Sequence, residues 1–204
     1  EPDLSDLPTT NSDWAYSVYS CGEEEIPFGA PIPLGNYVCL THYYDAILMH
    51  NLLTGKAATG ILHFMNGTPI NWFSKKQSTP ETATYALEFI TGCTCVEQVV
   101  DLRITLHYLG IPIHGKSIMF GDNQSMINSS MDVFGRISKC HVMLSYHTVC
   151  FDIAHNIIGL YHVDGKYNPS DILTKHWAHS DVWPQLQPLM FYSGDTVNLI
   201  CATT

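Results

Sequence analysis

The sequence lacks any hydrophobic run long enough to cross a membrane, and its first residues do not resemble a secretory signal. A membrane-spanning helix needs about 18 consecutive apolar residues, and no run in the 204-residue chain approaches that length. The start, Glu1-Pro2-Asp3, lacks the basic and then apolar order of a signal peptide. These absences predict a soluble protein or an excised fragment, without a membrane partner.

Paired cysteines are also missing. The chain has seven cysteines, an odd number, and no two of them have the C-x-x-C spacing. This pattern disfavours both a disulfide framework and a zinc ribbon. We therefore expect free thiols in a reducing compartment, which indicates an intracellular location.

Basic residues are scarce, since nine lysines and arginines stand against nineteen aspartates and glutamates and give a net charge of −10. That balance alone argues against a nucleic-acid partner. The charge is unevenly distributed, however, because residues 1–36 contain seven acids and no lysine or arginine. Residues 37–204 are left with nine bases and twelve acids, a net charge of only −3. Most of the negative charge therefore belongs to the leading segment.

Composition divides the chain into three parts. Residues 1–36 are acidic and rich in proline, and predict a poorly structured lead-in. Its aromatic residues Trp14, Tyr16 and Tyr19 are expected to pack as a strap across the next domain. Residues 37–176 carry the regular apolar patterns of a folded domain. Residues 177–204 have a short amphipathic pattern, which predicts a C-terminal extension packed on that domain.

The apolar patterns predict the element order β-β-β-α-β-α-α-β-α, which is typical of an α/β fold with a five-stranded mixed sheet flanked by helices. The first strand is predicted over residues 37–45. Asn66-Gly67 separates the next two apolar runs and indicates a hairpin, because both residues tolerate positive φ. Three antiparallel strands are therefore expected before the long helix, with Trp72 of the third strand in the core.

A long helix is predicted over residues 83–109, after a capping box at residues 78–81 and before Gly110. The last helix of the domain is predicted to begin at Asn168-Pro169, with the asparagine side chain as its cap. Apolar residues at helical spacing predict the buried face of the long helix: Phe89, Cys93, Val96, Val100 and Ile104.

Four acids stand at element ends or on the long helix. Asp45 ends the first strand, Glu88 lies two turns into the long helix, Asp122 follows the fourth strand, and Asp171 comes three residues after the last helix cap. Two divalent metal ions about 3.5–4 Å apart need several such oxygen ligands. Structural roles remain open here: turn formation for the two strand-end acids, a salt bridge for Glu88, and a helix-dipole contact for Asp171.

Seven stretches of the chain follow one another in the order found in a known family. They are Tyr-Asp-Ala at 44–46, Thr-Gly at 54–55 with Thr-Gly-Ile-Leu at 59–62, Trp-Phe-Ser-Lys-Lys-Gln at 72–77, Glu-Thr-Ala-Thr-Tyr at 81–85 with Glu-Phe at 88–89, Tyr-Leu-Gly-Ile-Pro-Ile at 108–113, Met-Phe-Gly-Asp-Asn at 119–123, and Asn-Pro-Ser-Asp-Ile-Leu-Thr-Lys at 168–175. Through them, nearly the whole chain resembles the ribonuclease H domain at the end of the polyprotein of copia-type retrotransposons. Each stretch is weak evidence alone, but their shared order makes the match specific.

The resemblance implies the ribonuclease H fold and a metal-dependent endonuclease that cleaves the RNA strand of RNA–DNA hybrids during reverse transcription. The expected partners are such a hybrid and the reverse transcriptase portion of the same polyprotein, which would lie upstream of the lead-in. The expected location is intracellular, either a cytoplasmic virus-like particle or the nucleus.

The resemblance also implies roles for particular residues. Asp45, Glu88, Asp122 and Asp171 correspond to the family's catalytic metal ligands, for two Mg²⁺ ions that Mn²⁺ can replace. Lys75 and Lys76 suit either a phosphate contact or a solvated turn. The residues expected to bind nucleic acid are Lys56, Lys75, Lys76, Asn123 and Lys166.

The chain departs from the family pattern at basic and polar positions. Ile47 and Asn51 stand where the family has a polar residue and a second aspartate, and Lys56-Ala57 stands in place of Arg-Ser. Lysine cannot hold a phosphate bidentately as arginine does. The alternative is therefore a catalytically decayed module that serves only as a nucleic-acid-binding or structural part of a retroelement polyprotein. A transposase or integrase is a third option, which the stretch at 168–171 opposes.

Overall fold

The architecture is a five-stranded sheet with helices packed against it, seen in a computed structural model that describes residues 18–20, 22–51, 56–77, 84–131, 140–175 and 178–190. The strands are β1 (Leu40–Asn51), β2 (Lys56–Met65), β3 (Thr68–Lys76), β4 (Ser117–Gly121) and β5 (Ile158–His162). The helices are α1 (Thr84–Tyr108), α2 (Gln124–Ser130), α3 (Cys140–Ala154), α4 (Asp171–Thr174) and α5 (His179–Met190), with a 3₁₀ helix at Gly165–Tyr167.

The sheet has the strand order β3-β2-β1-β4-β5, in which β1, β2 and β3 are antiparallel neighbours and β4 and β5 run parallel to β1. The mixed sheet with three antiparallel strands first is thus confirmed. Asn66 and Gly67 connect β2 and β3 with φ values of +50° and +75°. Two consecutive positive φ values are what a tight hairpin turn requires, and asparagine and glycine tolerate them best.

The first strand does not end at Asp45, as the sequence pattern predicted, but continues to Asn51. The reason is that β2 begins at Lys56, earlier than its apolar run, and so pairs with the extension. In the register, Ala46 lies opposite Thr59 and Ile47 lies opposite Ala58. Asp45 is therefore held inside a paired strand rather than in a turn.

The long helix α1 agrees with the prediction in extent, and Gly110 follows it with φ of +68°. The predicted capping box lies outside the described residues. The predicted apolar stripe is wrong at its end, because Ile104 is 37% exposed while Arg103 and Leu106 are buried. Since α1 packs against both β1 and α3, its buried surface is wider than a single stripe and includes polar residues.

The predicted helix start at Asn168-Pro169 is also wrong, since α4 begins at Asp171. Asn168 is buried and also bonds to the sheet: its Nδ2 donates to the carbonyl oxygen of Tyr44 at 3.0 Å. Its Oδ1 accepts from the backbone N–H of Ser170 at 3.2 Å, as the predicted cap would, and from the Ser170 hydroxyl at 2.6 Å. The asparagine therefore satisfies a buried carbonyl on β1, a tertiary contact that local sequence cannot reveal.

Hydrophobic side chains cover both faces of the sheet. One buried cluster joins the sheet to α1 and α3 through residues such as Tyr44, Phe89 and Met119. A smaller cluster lies on the other face, where Ile172 and Leu173 of α4 pack against it; its buried members are Tyr43, Leu62, Phe64, Phe120 and Tyr161. The core position expected for Trp72 is wrong, because β3 is an edge strand and leaves this side chain 71% exposed.

The segment before the sheet is tied to the domain at two places. Tyr19 packs edge-on against Phe151 of α3, as expected for a strap, whereas Trp14 and Tyr16 lie outside the described residues. Glu24 forms a bidentate ion pair with Arg103 of α1, whose Nε lies 2.7 Å from Glu24 Oε1. Arg103 is buried and also donates to the carbonyl of Gly115 and the hydroxyl of Ser117, each at 3.0 Å. The domain boundaries at residues 36 and 176 stay predictions.

None of the helices in the described ranges is long and apolar enough to cross a membrane.

Candidate active site

The parallel pairing of β1 with β4 brings two of the predicted acids side by side. Tyr43 of β1 lies opposite Phe120 of β4. Asp45 and Asp122 each follow two residues later, so both side chains reach the same place near the end of β4. This juxtaposition is the usual geometry of sites at the carboxyl ends of parallel strands.

The third acid, Glu88, comes from the first turns of α1, which packs on β1. Its side chain is buried, with only 4% of its surface exposed, and it accepts a hydrogen bond from the backbone of Ala46. The other carboxylate oxygen, Oε2, has no hydrogen-bond partner. A buried carboxylate oxygen without a partner is costly, and a cation is one of the few groups that would satisfy it.

Asp45, Glu88 and Asp122 each offer a carboxylate oxygen within 4.8 Å of the others, a spacing that suits a shared metal ion. All three ligands are hard oxygens, as divalent cations such as Mg²⁺ prefer. They line an open concavity of about 410 Å³ together with Ala46, Ile47, Thr84, Asn123, Gln124, Ser125 and Lys175. The residues present therefore fit a divalent cation.

The fourth predicted acid, Asp171, lies beside this group and not within it. It is the first residue of α4 and forms a short ion pair with the Nζ of Lys175, one turn further along that helix. The hydroxyl of Thr174 donates a short hydrogen bond to Asp45 Oδ2. Thr174 and Lys175, at the end of α4, thus each contact one of the four acids. No role was predicted for Thr174 or Lys175, although both belong to the stretch at 168–175.

Gly60 allows α4 to approach the sheet at this point. It lies opposite Asp45 in the β1–β2 register. A Cβ atom at this position would lie 2.7 Å from Thr174 Cγ2 and 2.9 Å from the carbonyl oxygen of Ser170. Only glycine leaves room for the backbone of α4 so close to the strand. The Thr174 hydroxyl reaches Asp45 because of this close packing.

Burial and mutual repulsion alter the acidity of the cluster. Burial, followed by the charges of Asp171 and Asp122, raises the pKa of Asp45 to about 6 against the hydrogen bond from Thr174. Burial and the neighbouring Asp45 and Asp122 raise the pKa of Glu88 well above its usual range. Burial and the charge of Asp171 also raise the pKa of Asp122. The cluster therefore resists full ionisation without a positive partner.

The raised pKa values of these carboxyl groups predict how the stability of the metal-free protein depends on pH. A carboxyl whose pKa is raised on folding favours the native state below its unfolded pKa, and that contribution is lost as pH rises through the folded pKa. In EDTA, we expect the melting temperature to fall between about pH 4 and about pH 7, because the pKa of Asp45 is raised to about 6. Saturating Mg²⁺ should reduce the fall.

Thermal melts across this pH range, with EDTA or Mg²⁺, would measure the effect. Asp152 of α3 is a suitable control, because burial raises its pKa to about 6 as well. Asp152→Asn should flatten part of the slope in EDTA yet leave the response to Mg²⁺ intact. Identical slopes with and without Mg²⁺ in the wild-type protein would contradict the prediction.

Only one of the residues predicted to contact nucleic acid lines the concavity. Asn123 lines the concavity, and its Oδ1 accepts from the backbone of Met126 at 3.0 Å, capping α2. Lys75 and Lys76 are exposed at the end of β3, and Lys56 begins β2. Lys166 is exposed, with its Nζ 3.6 Å from Asp164 Oδ2. Among the described residues, Lys175 is the one lysine or arginine that lines the concavity.

The strand order and the helices packed on the sheet define a ribonuclease H-like fold. LC11-RNase H1, isolated from compost by a metagenomic approach, has a similar structure, with a TM-score of 0.52 at 13% identity over 67% of this chain and 92% of that protein. The N-terminal RNase H domain of Rv2228c from Mycobacterium tuberculosis gives a TM-score of 0.51 at 12% identity, over 74% of this chain and 98% of that one. LC11-RNase H1 in complex with an RNA/DNA hybrid gives a TM-score of 0.50 at 12% identity, over 66% and 93%.

The chain is also similar in sequence to the retrovirus-related Pol polyprotein from transposon TNT 1-94 of Nicotiana tabacum. The two are 27% identical over 149 residues, which make up 72% of this chain. The chain spans only 11% of the length of that polyprotein. No protein-family model matches the chain. The chain therefore has a ribonuclease H-like fold and is similar in sequence to part of a retroelement polyprotein.

Proposed function

We propose that this domain is a metal-dependent endonuclease that cleaves the RNA strand of RNA–DNA hybrids during reverse transcription of a retroelement. The observation that carries the proposal is the meeting of Asp45, Glu88 and Asp122, with ligand atoms within 4.8 Å of one another. A buried acidic group of this kind resists full ionisation without a compensating positive charge, which a cation supplies. The hybrid bound to LC11-RNase H1 and the Pol polyprotein relative support the substrate and its setting.

We infer that Mg²⁺ is the cation, bound as two ions, with Mn²⁺ able to replace it. The group contains carboxylates only, without histidine or cysteine, and such hard ligands favour Mg²⁺ over softer metals. Bound Mg²⁺ would supply an activated water and neutralise charge on the phosphodiester that is cut. Asp45, Glu88 and Asp122 would hold the metal, and Asp171 would complete the set from α4.

The chain's own contribution is a rigid arrangement of these carboxylates. Asp45 sits inside a paired strand, and Glu88 is held by the backbone of Ala46 at one oxygen, which leaves the other directed to the site. Thr174 orients the carboxylate of Asp45 through its hydroxyl. Ligands held in place before binding lower the cost of assembling a reactive complex.

We propose that lysines at the end of the β2–β3 hairpin contact the phosphate backbone of the hybrid. Gly60 of β2 lies opposite Asp45 of β1 on one side and Ser74 of β3 on the other. Lys75 and Lys76 directly follow Ser74, so they lie near the level of Asp45 across the sheet. Exposed lysines near a metal site provide sequence-independent attraction for phosphates. Lys56, Lys166 and Asn123 would add contacts around the concavity, and the lead-in would connect to the reverse transcriptase portion.

Cleavage of an end-labelled RNA–DNA hybrid tests the proposal. We expect the intact chain to cut the RNA strand with Mg²⁺ or Mn²⁺, to stop in EDTA, and to leave double-stranded DNA intact. Asp122→Asn should lower the rate by more than about 100-fold, because losing a group that merely supports a ligand already costs about 10- to 100-fold. Asp101→Asn, an exposed aspartate on α1, is the matched control and should be fully active.

The outcomes separate this function from a decayed module. If the intact chain binds hybrid and does not cut it with either metal, the decayed module that only binds nucleic acid is correct. If Asp122→Asn cuts as fast as the wild-type protein, the assigned site is wrong even if cleavage is real.

A further inference from the structure

Lys175 reaches into the carboxylate site from the end of α4. It lines the same concavity as Asp45, Glu88 and Asp122, and its Nζ forms an ion pair with Asp171. The Asp171 side chain is only 11% exposed, whereas that of Lys175 is 42% exposed. The ammonium group is therefore anchored on a buried carboxylate and still open to the concavity.

The ion pair differs from an ordinary surface pair between residues one helical turn apart. Such pairs contribute little when both partners are exposed, because water screens them. Here the carboxylate is buried, and Lys175 also interacts electrostatically with Asp45 and Asp122. Three acids line the concavity and Asp171 lies beside it, and Lys175 is the one lysine or arginine lining it among the described residues.

We propose that Lys175 is an internal counter-ion, which holds Asp171 and stabilises the carboxylates in the metal-free protein and competes with divalent cations for the same site. The inference rests on the proposed metal site. Lys175 acts through the carboxylates and is thus a positioning residue rather than a catalytic one. Its ammonium group supplies one positive charge where a divalent cation supplies two, so the cation displaces it.

Removing this charge should have opposite effects on the metal-free and metal-bound states. Lys175→Met should lower the melting temperature in EDTA, because the four acids lose their counter-ion. The same change should tighten Mg²⁺ and Mn²⁺ binding by about tenfold, the order expected when a unit positive charge beside a cation site is removed. A residue with a merely structural role would weaken metal binding when removed, or leave it unchanged.

Calorimetric titration with Mg²⁺ and with Mn²⁺, and thermal melts in EDTA, test the proposal on the full chain. Lys175→Gln serves as a second neutral variant, and Lys175→Arg, which keeps the charge, should bind metal like the wild-type protein. Lys116→Met is the matched control, because Lys116 precedes β4 and does not line the concavity.

Tighter binding by the neutral variants together with lower stability in EDTA supports the proposal. If the wild-type protein binds metal and the neutral variants bind it equally or more weakly, the counter-ion role is overturned while the metal site stands. If the wild-type protein binds neither metal, the metal site and the counter-ion role fail together.

Discussion

Replacing Glu88 by glutamine is expected to abolish metal-dependent cleavage of the hybrid and, at the same time, to raise the melting temperature of the metal-free protein. Glu88 is buried, and one of its oxygens lacks a hydrogen-bond partner. Glutamine has nearly the same shape and can still accept from the backbone of Ala46. It carries no charge, so it relieves the repulsion with Asp45 and Asp122 but binds a divalent cation poorly.

The expected changes in cleavage rate and in stability are large enough to measure directly. Cleavage should fall by more than about 100-fold, since loss of a supporting group alone costs about 10- to 100-fold. Stability in EDTA at neutral pH should rise by about 1 kcal/mol, or a few degrees in melting temperature. Hybrid cleavage assays and thermal melts with and without Mg²⁺ would measure both effects.

Glu97→Gln is the matched control, because Glu97 lies on the same helix and is exposed. It should leave both cleavage and melting temperature unchanged. A Glu88→Gln protein that is both inactive and less stable in EDTA would mean that Glu88 stabilises the packing and that its charge does not destabilise the metal-free protein. A variant that remains active would remove Glu88 from the ligand set.

The second large effect is expected at Arg103, which lies near the end of α1 and outside the group of Asp45, Glu88 and Asp122. Arg103 is 4% exposed and donates to Glu24, Gly115 and Ser117. Arg103→Met should destabilise the protein by about 3 kcal/mol, the lower end of the range for breaking a buried ion pair, since Glu24 is partly exposed. Urea unfolding followed by circular dichroism would measure this loss.

A double-mutant cycle with Glu24→Gln isolates the contact itself. If the ion pair stabilises the fold, adding Arg103→Met to Glu24→Gln should cost at least about 1 kcal/mol less than Arg103→Met alone. Asp101→Asn, exposed on the same helix, should change stability by less than about 0.5 kcal/mol. Additive effects of the two changes would show that Glu24 does not anchor the leading segment.

Local patterns were sufficient to predict the elements of the sheet and the long helix. Asn66-Gly67 predicted the hairpin because its two positive φ values are a purely local property. Gly110 predicted the end of α1 for the same reason. The five-stranded mixed sheet followed from the element order and from the family resemblance.

Contacts between distant residues could not be predicted from these patterns. Asp45 appeared to end its strand, because nothing local shows that β2 begins early enough to extend the pairing. Asn168 had the chemistry of a helix cap and accepts from the backbone of Ser170, but nothing local shows that it also bonds to Tyr44 of β1. Trp72 was expected in the core because its strand pattern does not reveal that β3 lies at the sheet edge.

For the site, the resemblance supplied the four acids and the parallel register supplied the reason why Asp45 and Asp122 meet. The role of Glu88 depends on the packing of α1 against β1, which periodicity suggests only in outline. Lys175 and Thr174 were overlooked, although their spacing of four and three residues from Asp171 places them one helical turn away. That spacing was the available signal.

The bonds from Asn168 to Tyr44 and from Thr174 to Asp45 join positions 124 and 129 residues apart. Proteins are synthesised from the N-terminus, so β1 leaves the ribosome long before α4. Until α4 emerges, Asp45 has no hydroxyl to orient it and Asp171 is absent from the site. The group of four acids is therefore incomplete until the chain has been made through Lys175.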